Sequence, residues 1–178
     1  MLPRTFITER LHAEALCPED LPAVHQMHLD GEQMAYLGGI RTAEQTAQYI
    51  ARNLAHWERY GFGLWLLRDR SEPADGGFGR LGSVVGRVLL RHLELEGVDE
   101  IEVGYSLAPA CWGKGLAAEA AAACLGLARD VLRTDSIVAL TAPANLRSHQ
   151  VLRKIGMVLE RQVLYEGSPQ ALFRTLPT

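Results

Sequence analysis

The hydrophobic pattern changes period along the chain, and each change marks an element. Residues 8–17 alternate, with Leu11, Ala13 and Ala15 apolar and His12 and Glu14 polar, which predicts a strand with one wet face. Pro18, Glu19 and Asp20 then signal a helix start. Leu21, Val24, Met27 and His28 share one face of that helix, and Gly31 marks its end. Residues 32–41 are irregular and break at Gly38 and Gly39. Thr42 with Gln45 forms a capping box for a second helix. That helix runs to Tyr60, carries Ala47, Ile50, Leu54 and Trp57 as its apolar stripe, and stops at Gly61. Residues 63–68 read as a short apolar strand, and residues 69–81, rich in Gly, Asp and Pro, as a long turn. Residues 82–95 form the next strand, in which Gly86 marks a bulge or a close backbone approach.

The chain is organised around residues 100–123, EIEVGYSLAPACWGKGLAAEAAAA. Ile101, Val103, Tyr105 and Leu107 alternate as in a strand. Pro109 ends it, and a glycine loop, Trp112-Gly113-Lys114-Gly115, opens an alanine-rich helix near Leu116. The apolar residues 134–141 follow that helix directly, so they should run parallel to the preceding strand through a right-handed crossover. Asn145 is a good N-cap for a further helix that stops at Gly156. Residues 157–165 and 171–176 form a last strand pair around a turn at 166–169. The order is β-α-α-β-β-β-α-β-α-β-β, an antiparallel meander joined to one parallel pair. A doubly wound sheet, which needs a uniform β-α alternation, is disfavoured.

Composition narrows the setting. The 178 residues suit one domain spanning 1–178 with a substantial core. A formal net charge of −3 argues against nucleic acid as the main ligand. Cys17, Cys111 and Cys124 are odd in number and lack metal-ligand spacing, which points to no metal site and to a reduced, cytoplasmic compartment. No window is apolar enough to span a membrane, and the N-terminus lacks a signal-peptide apolar region. His25 and His28 are read as a partly exposed helix face rather than a metal pair. Trp57, Phe62 and Trp65 are read as core or as the wall of an acceptor cleft.

A glycine-rich turn between a strand and a helix can hold an anion. Glycine admits close backbone approach, and the first helical N–H groups lack partners and sit at the positive end of the helix dipole. Residues 113–118 also fit a degenerate dinucleotide fingerprint, G-x-G-x-x-A. Its position past mid-chain and the missing acid at the end of the next strand count against a nicotinamide-dependent oxidoreductase. A phosphate-binding P-loop is absent from the sequence. Glycines needed only for tight turning are the bland reading.

Three motifs in order resolve this. The Trp112-Gly113-Lys114-Gly115-Leu116-Ala117 loop, the Asn145…Ser148…Lys154-Ile155-Gly156-Met157 stretch and the opening Thr8-Glu9-Arg10-Leu11…Glu19-Asp20-Leu21 together resemble the GNAT N-acetyltransferase superfamily, RimJ/RimL-like branch. The resemblance covers nearly the whole chain. It implies an α+β GNAT fold: a central mixed, mostly antiparallel sheet with one splayed parallel strand pair and helices on both faces. It implies acetyl-CoA as co-substrate. The backbone at Tyr105 and Leu107 would bind the pantetheine arm as an added strand would. Trp112, Gly113, Lys114, Gly115, Leu116 and Ala117 would cradle the pyrophosphate, and Asn145 and Ser148 would face the far end of the channel. Lys114, Arg147 and Arg153 are candidates for phosphate charge. A backbone N–H near Leu107 would polarise the acetyl carbonyl.

Acetyl transfer to an amine needs a neutral amine, so a base must take a proton. Glu102 in the central strand is the candidate, with a merely solvated Glu102 as the competing reading. The tyrosine that many family members place seven residues after the asparagine is here Leu152. Ser148 is the candidate to assist the leaving thiolate, with Tyr105 second. The sequence therefore predicts an N-acetyltransferase acting on a primary amine, a protein N-terminus or a small molecule. A non-catalytic CoA-binding module of the same fold is the alternative. Acceptor choice should lie in the first two helices, the 69–81 turn and the last hairpin. Oligomeric state, a homodimer included, is left open.

Overall fold

The computed structural model describes residues 1–71, 82–134 and 136–176. Eight strands form one sheet: β1 (Thr5–Ile7), β2 (Leu11–Ala15), β3 (Leu64–Asp69), β4 (Val84–Leu95), β5 (Val98–Leu107), β6 (Ile137–Thr141), β7 (Met157–Tyr165) and β8 (Ser168–Thr175). Their spatial order is β1-β2-β3-β4-β5-β6-β8-β7. Every neighbouring pair is antiparallel except β5–β6, which is parallel as the crossover argument requires. The helices are α1 (Leu21–Leu29), α2 (Ala43–Tyr60), α3 (Leu116–Leu127) and α4 (Leu146–Lys154). No helix among the described residues is long and apolar enough to cross a membrane. From residue 72 on, the turn expected at 69–81 lies outside the described residues.

Residues of β3 alternate between two cores, as the period of two demands. Leu64 and Leu66 of β3 pack with Val24 and Met27 of α1 and Ile50 of α2. Trp65 and Leu67, one position on, pack with Ala120, Ala121 and Cys124 of α3 and Leu152 of α4. The helices therefore cover both faces. Trp57, Phe62 and Trp65 all belong to the second core, with ring pairs such as Trp57–Trp65 at 5.0 Å. Of the two readings left open for them, core is the one observed.

Local signals act as the chemistry predicts. Thr42 Oγ1 accepts from the Gln45 N–H while Gln45 Oε1 accepts from the Thr42 N–H, a complete capping box. Gly61 closes α2 with φ 71°, a left-handed conformation suited to glycine. The stripe of α2 holds at Ile50, Leu54 and Trp57 and departs from the expected one at a single position. Ala47 is exposed and Thr46 is buried, because the Thr46 hydroxyl donates to Thr42 O and meets two histidines of α1.

His28 corrects a second expectation. It is fully buried, not part of an exposed face. Its Nε2 accepts from Arg87 at 2.8 Å, which leaves the proton on Nδ1 to donate to Thr46 Oγ1 at 2.9 Å. Burial first, then the positive charges of Arg87 and Arg41 and neighbouring His25, push its pKa down from 6.5 to about 3. The unfolded chain takes up this proton near pH 6.5 and the folded chain only near pH 3. The stabilising contribution is therefore complete above pH 6.5 and is lost as pH falls towards 3.

Gly86 is the tight point of the sheet. β3 pairs Leu67 with Gly86 and Arg68 with Val84, so Val85 is bulged out. A Cβ on Gly86 would lie 2.5 Å from Ser106 O and 2.8 Å from Leu107 Cα. Gly86→Ala should therefore cost about 1–3 kcal/mol in a urea unfolding curve, through overpacking against backbone; a loss below about 0.5 kcal/mol would show that β4 and β5 can part without penalty. For His28, unfolding curves taken from pH 7 to pH 4 should show wild-type stability falling by up to about 1.4 kcal/mol per pH unit from this proton. His28→Gln should lose that slope, and an unchanged acid limb would assign it to other groups.

Candidate active site

Among the described residues β5 and β6 pair through two positions, Ile101 with Ile137 and Glu102 with Val138. Beyond Glu102 the two strands separate while β5 continues to Leu107 on its β4 side. The Ala108 N–H donates to Val85 O at 2.9 Å, so the Leu107 N–H points the opposite way, into the gap. The Leu107 carbonyl is already occupied: the Trp112 indole N–H donates to it at 2.8 Å.

A cleft of about 810 Å³ fills this gap. Its floor is Tyr105, Ser106 and Leu107 of β5. One end is the loop and first turn of α3, with Trp112, Gly113, Gly115, Leu116, Ala117 and Ala118. The α4 side supplies Asn145, Arg147, Ser148, Val151 and Lys154, and the α1–α2 connection supplies Glu32, Gln33, Tyr36 and Leu37. Every cofactor residue expected from sequence lies on this lining except Lys114. Lys114 contributes a carbonyl that accepts from Arg10 Nη1 at 2.8 Å, so its backbone is used inside the loop.

The glycine loop is shaped by left-handed residues, Gly113 at φ 73° and Gly115 at φ 80°, and Gly115 is the N-cap of α3. The free N–H groups of Leu116, Ala117 and Ala118 thus open on the cleft, with the helix dipole behind them. Arg10 braces this corner. Its Nε donates to Glu119 Oε2 at 2.7 Å, and its backbone N–H donates to Glu119 Oε1 at 2.8 Å. Thr8 Oγ1 adds a 2.5 Å hydrogen bond to the same carboxylate. Arg10 Nη2 and Lys154 Nζ both lie within 4 Å of where a Cβ on Gly115 would sit. Of the cations considered from sequence, Arg147 lines the cleft and stacks on Trp112 at 4.6 Å. Arg153 lies over Phe173 instead, at 6.0 Å. Nothing in the sequence spacing of Arg10 and Lys154 tells that they converge on one glycine.

Asn145 Oδ1 accepts the Ser148 N–H at 3.2 Å, the N-cap bond of α4, so its role here is to set the start of that helix. Ser148 shares its hydroxyl with Tyr105 Oη at 2.9 Å, and the Tyr105 hydroxyl also reaches Ser148 O at 3.1 Å. Burial, opposed by the Ser148 hydrogen bond, pushes the Tyr105 phenol up to about 12. Leu152, at the usual tyrosine position, is 1% exposed in the core. Tyr105 therefore places a phenol in the cleft where α4 has none.

Glu102 is buried, so it is not a solvated residue. Its carboxylate is held by Arg91 and is not part of the cleft lining. Glu102 and Ser106 project from the same face of β5, with Leu89 packed over the intervening Gly104. Among the described residues no group of His, Cys, Asp and Glu could hold a metal ion.

The comparisons with known proteins agree with this geometry. The acetyltransferase (GNAT) domain family matches residues 10–158. The chain is 27% identical over 169 residues to YkkB of Bacillus subtilis (strain 168), covering 94% of this chain and 93% of YkkB. The crystal structure of an acetyltransferase from Agrobacterium tumefaciens str. C58 superposes with a TM-score of 0.80 at 25% identity, covering 99% and 96% of the two chains. RimL, a ribosomal L7/L12 alpha-N-protein acetyltransferase solved with coenzyme A, superposes with a TM-score of 0.72 at 17% identity, covering 98% and 97%. With its splayed strand pair, glycine loop and RimJ/RimL-like order of elements, the chain belongs to the GNAT acetyltransferase family.

Proposed function

We propose that this protein is an acetyl-CoA-dependent N-acetyltransferase that moves the acetyl group directly to a primary amine, either a protein N-terminus or a small molecule. The observation that carries the reading is the open edge of β5 beyond Glu102, which ends at the α3 N-terminus. An edge of this kind accepts an extended amide chain as a further strand, and the helix start accepts a pyrophosphate. A cleft of about 810 Å³ is in the range of a cofactor-sized site. Leu116, Ala117 and Ala118 would donate backbone N–H groups to the pyrophosphate, and Lys154 and Arg147 would add charge. When bound, acetyl-CoA supplies an activated thioester carbonyl and a thiolate leaving group.

The residues divide the remaining work. The Leu107 N–H, aimed into the gap, would polarise the carbonyl oxygen. Glu102 would take the amine proton through water, with Arg91 fixing its carboxylate. Tyr105 and Ser148 would meet the leaving sulfur as a joined hydroxyl pair. A phenol near 12 is too weak an acid to give its proton outright to a thiolate whose thiol titrates at about 8.5. The pair would therefore stabilise the thiolate by hydrogen bonding, and water would protonate it. The second reading is a non-catalytic CoA-binding module, favoured by the apolar Leu152 at the usual acid position.

Titration calorimetry should show acetyl-CoA binding and no NADH binding; the reverse would overturn the fold-based reading of the cleft. A thiol-release assay over amines and peptides separates turnover from binding, and saturable binding with no turnover on any acceptor would select the second reading. Tyr105→Phe should lower kcat about tenfold with acetyl-CoA affinity kept, as expected for a transition-state hydrogen bond. Glu102→Gln should lower kcat/KM about 100-fold at pH 7 and less at pH 9, where more of the amine is already neutral. Full turnover of Glu102→Gln at every pH would remove Glu102 from the chemistry.

A further inference from the structure

Behind the acceptor side of the cleft lie two guanidinium groups with no anion. Arg87 of β4 is 5% exposed. Its partners are His28 Nε2 at 2.8 Å and the face of Tyr49 at 4.8 Å. Arg41, half-buried at the end of the α1–α2 connection, donates to Leu37 O at 3.1 Å, approaches His28 Nε2 at 3.4 Å and lies 5.0 Å from the same Tyr49 ring. Among the described residues, no carboxylate forms a hydrogen bond or ion pair with either group. Two further basic groups add to this field: Arg52 acts on Arg41, and His25 on His28. A buried cation is ordinarily paired, because desolvation without a counter-charge is costly. Burial first, and then the charges of Arg87 and Arg41, keep His28 neutral, so it adds no third positive charge to the cluster.

The cluster adjoins the cleft through two lining residues. Ser106 is the cross-strand partner of Arg87, on the same face of the sheet. Leu37, whose carbonyl holds Arg41, lines the cleft directly. Gln33 closes the gap between them, its Nε2 donating to Ser106 Oγ at 3.0 Å. This polar gate is the contact that a ligand oxygen would replace.

We propose that Arg41 and Arg87 receive a carboxylate of the acceptor, so that the amine substrate is itself an acid. This rests on the acetyltransferase reading and names its substrate class. The carboxylate meets Arg41 behind Leu37 and Arg87 beyond Ser106, where a fork of guanidinium donors gives charge-assisted hydrogen bonds. The same chemistry could come from a free amino acid or from an acidic residue beside a peptide N-terminus.

The test compares acids with amides that lack one carboxylate. Alanine and glutamate are assayed against alaninamide and glutamine, and the tripeptide amide Ala-Asp-Ala against Ala-Asn-Ala. Wild type should favour the acid at least tenfold in kcat/KM in one of the two arms, and the arm that responds identifies the source. Arg41→Gln should bring that ratio to near one, and Arg87→Lys should retain part of it while Arg87→Gln does not. Acetyl-CoA affinity by calorimetry reports whether each variant is folded. Product binding gives a readout without turnover: N-acetylalanine or N-acetylglutamate should bind wild type more tightly than its amide, and Arg41→Gln should lose the difference. Equal use and equal binding of acids and amides by wild type would overturn the proposal, as would Arg41→Gln lowering acid and amide alike. Acetyl-CoA binding without turnover, but with the acid preference intact in product binding, would overturn the enzymatic reading and keep the anion site.

Discussion

Two paired positions hold β5 to β6, and the site depends on their pairing going no further. A buried strand edge must find partners for its N–H and C=O groups. Here the chain fills part of that need itself. Trp112 folds back to occupy the Leu107 carbonyl, and the β4 side of β5 is closed by a ladder so tight at Gly86 that no side chain fits. What is left unpaired is a short stretch of backbone facing a cleft. The α3 N-terminus and the α4 N-cap stand on either side of it because the same separation of strands gives both helices room to approach β5.

Charge is arranged locally against a mildly acidic whole. The formal net charge is −3, yet the corner at Gly115 gathers Arg10, Lys154 and a helix N-terminus. Glu119 takes up much of the Arg10 charge through several hydrogen bonds, which makes Arg10 chiefly a brace for the loop. Lys154 has no such partner among the described residues, so it is the side chain freer to meet a phosphate. The loop geometry and its positive potential thus come from different residues.

The elements were legible where their causes are local. The capping box at Thr42, the left-handed stop at Gly61, the Asn145 cap and the bulge at Gly86 each follow from residue types a few positions apart. The residues that converge from far apart were not. His28 looked like half of an exposed pair because its partners, Thr46 and Arg87, sit on another helix and a strand. Arg10 reaches Glu119 across 109 positions, and its motif letters carry no sign of that. The burial of Glu102 could not be weighed without Arg91, whose place opposite it is fixed by strand register. Tyr105 ranks only second for the thiolate on sequence because the hydroxyl of Ser148, its partner, belongs to α4.

The strand period of two then gives one strand two chemically different faces. Val103, Tyr105 and Leu107 share the face that packs on α3 and α4, where the glycine loop and Ser148 lie. Glu102, Gly104 and Ser106 share the other face, beneath α1 and α2, where Gln33, Arg41 and Arg87 gather. A one-residue slip of β5 would exchange these sets and bury a carboxylate among the alanines of α3. The ladder with β4, continuous from Gly86–Leu107 to Leu95–Val98, excludes that slip. The division between a glycine-loop side and an arginine side is therefore a property of sheet register, and the two sides can meet only at the edge where β5 is unpaired.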